Sequence, residues 1–85
     1  MWGWIARLIE PQPEIRAIGK LQTLAAEHDG EFHLSQLDDG NTLARIEWYA
    51  EERGKVRIYG GDGRGKTPQL AATELLARLR RVGLA

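Results

Sequence analysis

From Glu14 onward, apolar residues recur at three- and four-residue spacing: Ile15, Ile18, Leu21, Leu24 and Ala25. That spacing lines one face of an α-helix and predicts an amphipathic helix from Glu14 to about His28. Gly19 costs this helix some stability and offers room for close packing. Asp29-Gly30 supplies the stop. The period then changes. In EFHLSQL, Phe32 and Leu34 alternate with His33 and Ser35, the pattern of a half-buried strand. Asp-Asp-Gly-Asn at 38–41 has hairpin-turn chemistry, because Gly and Asn tolerate positive φ. The return strand TLARIEWYA sets Ala44, Ile46, Trp48 and Ala50 on one face and Arg45, Glu47 and Tyr49 on the other. Glu51 to Gly54 turns the chain again, and KVRIY is predicted to point Val56 and Ile58 inward. A last helix carries Leu75, Leu76, Leu79 and Val82 toward the core. Arg78, Arg80 and Arg81 in its final turns suit the negative end of the helix dipole.

Ahead of this series, residues 2–9 have the pattern of two helical turns with Trp2, Ile5 and Ile9 along one side. Pro11 and Pro13 end that segment, since proline removes a backbone donor and restricts the residue before it. The chain therefore divides into an N-terminal amphipathic segment, 1–13, and one domain, 14–85. The expected fold class is α+β, in the order α-β-β-β-α. A three-stranded antiparallel meander packs two helices on one face. The expected core joins Phe32, Leu34, Ile46, Trp48, Val56 and Ile58 to Ile18, Leu21, Leu75 and Leu79. His33, Ser35, Arg45, Glu47, Tyr49, Arg57 and Tyr59 are left for the opposite sheet face. The Trp2/Trp4 segment either covers part of that face or mediates self-association as a homodimer, because two exposed tryptophans are unusual on so small a domain.

Residues 60–67, GGDGRGKT, match the phosphate-binding pattern G-x-x-x-x-G-K-[ST] at every required position. In a working loop of that kind the Lys and Thr already lie in the first helical turn. Here Pro68 follows Thr67 and disfavours the helical conformation for it. Thr67 reads instead as an N-cap with Pro68 at the first helical position, where a missing N–H costs nothing. Only 18 residues follow Thr67, too few for the remaining parallel strands of a nucleotide-hydrolysing fold. The stretch is expected to be a glycine-rich loop between a strand and a capped helix.

Other candidate chemistry is sparse. His28 and His33, the only histidines, match no metal-ligand spacing, and Asp38-Asp39 is better explained as turn chemistry than as a catalytic pair. No nucleophile–base constellation stands at recognisable spacing. The protein is expected to be no enzyme and to use no cofactor or metal.

With 85 residues and no cysteine, the chain supports one small core held by packing alone. No apolar run is long enough to span a bilayer. MWGWIARLIE contains Arg7 and Glu10 and lacks a signal-peptide cleavage site, so the expected location is intracellular. The zero net charge hides an asymmetry. Residues 1–52 hold ten acids against four bases, and residues 53–85 hold eight bases against two acids. Such a division means either an anion-binding face or two parts that attract each other within the fold.

The α-β-β-β-α order, with Gly61, Gly63 and Lys66 before the last helix, resembles the double-stranded RNA-binding domain. That resemblance implies a module that grips duplex RNA or DNA. Its minor-groove loop between the first two strands corresponds here to DDGN, which repels phosphate. The chain is also similar to small phage and prophage proteins of the "ABA sandwich" type. The residues that carry this are EWYA in the second strand and Thr67, Pro68, Leu70 and Ala71 before Leu75-Leu76. This second resemblance implies a phage accessory protein in the host cytoplasm. It would act by binding, including as an inhibitor of a host defence complex in the manner of an anti-CRISPR. The expected partner-binding residues are Arg53, Arg57, Tyr59, Arg64 and Lys66, on the third strand and its flanks. Their partner would be an acidic or nucleic-acid-binding host protein.

Overall fold

The computed structural model describes the backbone from Pro13 to Ala85 and the side chains from Arg16 onward. Ile15 and the Trp2/Trp4 segment, with their expected roles in packing and association, lie outside the described residues. Helix α1 spans Pro13–Glu27, followed by strands β1 (Glu31–Gln36), β2 (Thr42–Glu52) and β3 (Lys55–Gly65), and helix α2 spans Pro68–Arg81. The strands form one antiparallel sheet in the order β1-β2-β3, and both helices pack on the same side of it. This is the α+β arrangement expected from the periodicity.

Local chemistry sets each boundary. Helix α1 ends in a Schellman motif. Asp29 takes the left-handed conformation (φ 52°), and the Gly30 amide donates to the Ala25 carbonyl at 2.7 Å. The hairpin between β1 and β2 closes through Leu37 N–H to Asn41 C=O at 2.7 Å. The β2–β3 hairpin turns on Arg53 (φ 54°) and Gly54 (φ 77°), both positive as in a two-residue type I′ turn. Thr67 caps α2 from an extended conformation, its Oγ1 accepting the Leu70 amide at 3.1 Å. Pro68 takes the first turn, as the sequence suggests.

The core is a layer of Ala17, Leu21 and Ala25 from α1, Ala44, Ile46 and Trp48 from β2, and Ala71, Ala72, Leu75, Leu76 and Leu79 from α2. Leu34 does not join the core, standing 40% exposed on edge strand β1, and four further sequence expectations fail here. Gly19 serves no close packing among the described residues, none of which lies near the position a Cβ would take. Val82 is exposed, being the C-cap of α2. Gly83 (φ 78°) turns the chain so that Leu84 packs on the core in its place.

The third correction concerns β3. Val56 and Ile58 do not point inward; they stand 69% and 65% exposed on the open sheet face. Direct partners in an antiparallel pair share a face, and Trp48 pairs with Tyr59 while Ala50 pairs with Arg57. Buried Trp48 therefore draws Tyr59 and Arg57 to the helix side and sends Val56 and Ile58 outward.

The fourth concerns the glycine-rich stretch, which is strand and not loop. Gly60 to Gly65 pair continuously with Glu47 to Thr42. The inward positions Gly61, Gly63 and Gly65 let α2 lie directly on the backbone of β3. At Gly65, a Cβ would come within 2.6 Å of the Ala71 nitrogen, closer than atoms can approach. An extended strand does not wrap phosphates, so the stretch lacks the geometry of a nucleotide loop.

Candidate protein-interaction surface

Arg53 sits at the tip of the β2–β3 hairpin. Next to it, on the helix side of the sheet, Glu52 gathers two neighbours. The Tyr59 hydroxyl donates to Glu52 Oε1 at 2.6 Å, and Arg57 Nε lies 3.5 Å from Glu52 Oε2. The hydrogen bond to Glu52, aided by partial burial and the negative charge, raises the Tyr59 phenol above its ordinary pKa. The Tyr59 ring stacks on Trp48 at a centroid distance of 6.1 Å. His28 also stacks on Trp48, at 4.6 Å with the rings nearly parallel. Residues from the end of α1, from β2 and from β3 thus form one aromatic column at the base of the hairpin.

Arg64 and Lys66 lie elsewhere. Seven residues separate Arg57 from Arg64, about 23 Å at the rise of a strand, and the odd spacing puts them on opposite faces. Arg64 faces the open side opposite Leu43, and exposed Lys66 occupies the short link into α2. The fold brings Arg53, Arg57 and Tyr59 together and leaves Arg64 with Lys66 at the far end.

That far end is acidic as well as basic. Asp39 accepts from both the backbone and the side-chain nitrogen of Asn41, at 3.0 and 3.1 Å. The backbone hydrogen bond does most to hold its carboxyl below the usual 3.8, with the Asn41 side chain and nearby Arg64 adding to the effect. The remaining candidates are quiet. His33 pairs with Glu31 at 3.0 Å on the surface. Among the described residues no three His, Asp or Glu side chains gather as a metal site would require, and no helix is long and apolar enough to cross a membrane.

The sequence reading missed the apolar patch on the open sheet face. Tyr49, 61% exposed, pairs directly with Ile58, and Val56 follows on the same face. Beside them Gly60 leaves a hollow of about 360 Å³ walled by Ile58, Asp62, Arg45 and Glu47. The wall is held by a two-point ion pair: Arg45 Nε donates to Asp62 Oδ1 at 3.1 Å and Nη2 to Oδ2 at 3.4 Å. Beyond the pairing of Glu31 with Glu47, β1 no longer flanks β2, so the hairpin continues as a two-stranded arm. The signal for this patch was the turn itself. A two-residue turn at Arg53-Gly54 fixes which residues face each other, and buried Trp48 then assigns both faces of β3.

Compared with protein-family models and with curated protein sequences, the chain matches none.

Proposed function

We propose that this protein is a non-enzymatic binding protein that docks a protein partner on the open face of the β2–β3 arm. The observation that carries the reading is the side-by-side exposure of Tyr49, Val56 and Ile58. Apolar side chains grouped in this way, rimmed by charge, are the usual mark of an interaction site on a small soluble fold. Arg53 borders this face at the hairpin tip, while Arg57 and Tyr59 lie on the arm's helix side, where Glu52 holds both. Arg64 and Lys66 would meet a partner only if it extended along the whole of β3. The likeness to small phage proteins of the "ABA sandwich" type supports a protein complex of the host cytoplasm as the partner. An inhibitor of a host defence complex, in the manner of an anti-CRISPR, fits that description.

The test is capture from host lysate with tagged wild-type protein and with Ile58→Glu. A partner held by the wild type and lost in the variant supports the reading; one held equally by both overturns it. A duplex-binding reading draws on the element order and on Lys66 beside the start of α2. Asp38 and Asp39, in the turn that would enter the groove, oppose it. Retention on duplex RNA at low salt would favour the duplex over the protein partner.

A further inference from the structure

Strand β3 ends the sheet, so its outer edge carries no partner strand among the described residues. The two-residue turn makes Glu52 and Lys55 the closing hydrogen-bonded pair, and the pairs alternate from there. Val56, Ile58, Gly60, Asp62 and Arg64 consequently turn their N–H and C=O groups outward, away from β2. One contact agrees directly with this assignment: Arg78 of α2 reaches over the edge and donates from Nη1 to the Asp62 carbonyl at 3.2 Å. The same guanidinium holds Glu74 through Nη2 at 2.8 Å. With Leu70, 46% exposed, Glu74 and Arg78 mark successive turns of α2. Arg78 thus bridges the helix flank and the strand edge, and it covers an outward-facing acceptor of β3.

The edge has a charge preference. Lys55, Arg64 and Lys66 lie along the edge strand and its exit, with Arg57 between them held by Glu52. The acids of the edge and the helix flank are already engaged, Asp62 by Arg45 and Glu74 by Arg78. Setting this edge against the β3 of a second copy would bring like charges together, which edge strands use to avoid self-pairing. An extended segment bearing carboxylates meets the opposite situation. Gly60, Gly61, Gly63 and Gly65 present no side chains, so an arriving backbone can come close.

Resting on the protein-binding reading above, we propose that the partner contributes an extended, carboxylate-bearing segment that adds to β3 as a fourth strand. Main-chain hydrogen bonds to the outward groups of Val56, Ile58, Asp62 and Arg64 hold it. Arg78 leaves the Asp62 carbonyl and pairs with a carboxylate of the incoming strand.

The probe is a short synthetic peptide alternating glutamate and valine with blocked ends, titrated into the full isotope-labelled chain and followed by NMR and amide exchange. Protection of the Val56, Ile58, Asp62 and Arg64 amides is expected. Arg78→Glu should weaken binding about tenfold, and the lysine–valine counterpart should not bind. Methylating every peptide backbone nitrogen keeps the charges but removes the donors, and it should abolish the complex. Equal binding of the methylated peptide, or no spectral change up to millimolar peptide, overturns the proposal. Either result leaves the reading of the open face to its own test, the loss of the captured partner in Ile58→Glu.

Discussion

Gly63 lies directly beneath Leu75, so close that a single added methyl group would strike the backbone of α2. A Cβ at Gly63 would meet the Leu75 nitrogen and lie 2.5 Å from the Ala71 carbonyl oxygen. Neither is the movable end of a flexible side chain. Relief requires lifting the helix from the sheet, which would open the core that Leu75 and Leu79 share with Ile46.

Gly63→Ala should therefore destabilise the fold by about 1–3 kcal/mol, the usual range for overpacking a filled core, and toward its upper end. Gly61→Ala makes the control. There a Cβ comes only to ordinary contact with Leu75 Cδ1 (3.5 Å) and Leu79 Cδ2 (3.7 Å), so the change should be near neutral. Urea unfolding of both variants checks the contrast. Equal stability would mean that α2 does not sit on the β3 backbone.

Thr67→Ala removes the oxygen that accepts the Leu70 amide at 3.1 Å. Loss of a threonine cap costs roughly 0.5–2 kcal/mol. Thr67→Ser keeps the acceptor and should recover most of the loss. Thermal melts of the two variants give the comparison.

Ile46 and Ile58 are both β-strand isoleucines, yet one is fully buried and the other 65% exposed. Ile46→Ala should cost about 2–5 kcal/mol, enough to unfold a marginal domain. Ile58→Ser should stay within about 0.5 kcal/mol of wild type, as surface changes do. A large loss at Ile58 would put β3 in the opposite register.

That contrast also shows what was legible in the chain. Thr67-Pro68 and Asp29-Gly30 act through local backbone chemistry, and local chemistry is readable from neighbours in sequence. The alternation in TLARIEWYA is equally clear, because Arg45 and Glu47 mark the centre of one face and Ile46 and Trp48 the other. In KVRIYGG both faces offer candidates: Val56 and Ile58 on one, Tyr59 and the aliphatic stem of Arg57 on the other. Counting outward from Arg53-Gly54 to Trp48 decides between them, and that is a tertiary argument. GGDGRG misleads for a related reason. Glycines usually signal a loop, but here they mark where a helix backbone meets a strand. The basic residues of β3 were read as one cluster because they are close in sequence, whereas an extended strand spreads them over its length and both its faces.

The base of the arm should show its wiring in an alkaline titration. Tyr59 donates to Glu52 at 2.6 Å, and that bond is the main reason its phenol is raised above the ordinary 10.0. A raised folded pKa means the contact's contribution is complete below the unfolded value and fades as pH climbs through the folded one. The arm should thus be insensitive to pH across the neutral range and loosen only in strong base. The chain has two tyrosines, so Tyr49→Phe isolates Tyr59 in a phenolate absorbance titration. In that background Glu52→Gln keeps an acceptor but removes the charge, and the Tyr59 midpoint should move back toward 10.0. Since Glu52 also holds Arg57, the same substitution should speed exchange of the Arg57 and Tyr59 amides relative to those of Gly61 and Gly63 under α2. A midpoint unmoved by Glu52→Gln would assign the raised value to the retained hydrogen bond and to burial against Trp48, and not to the carboxylate's charge.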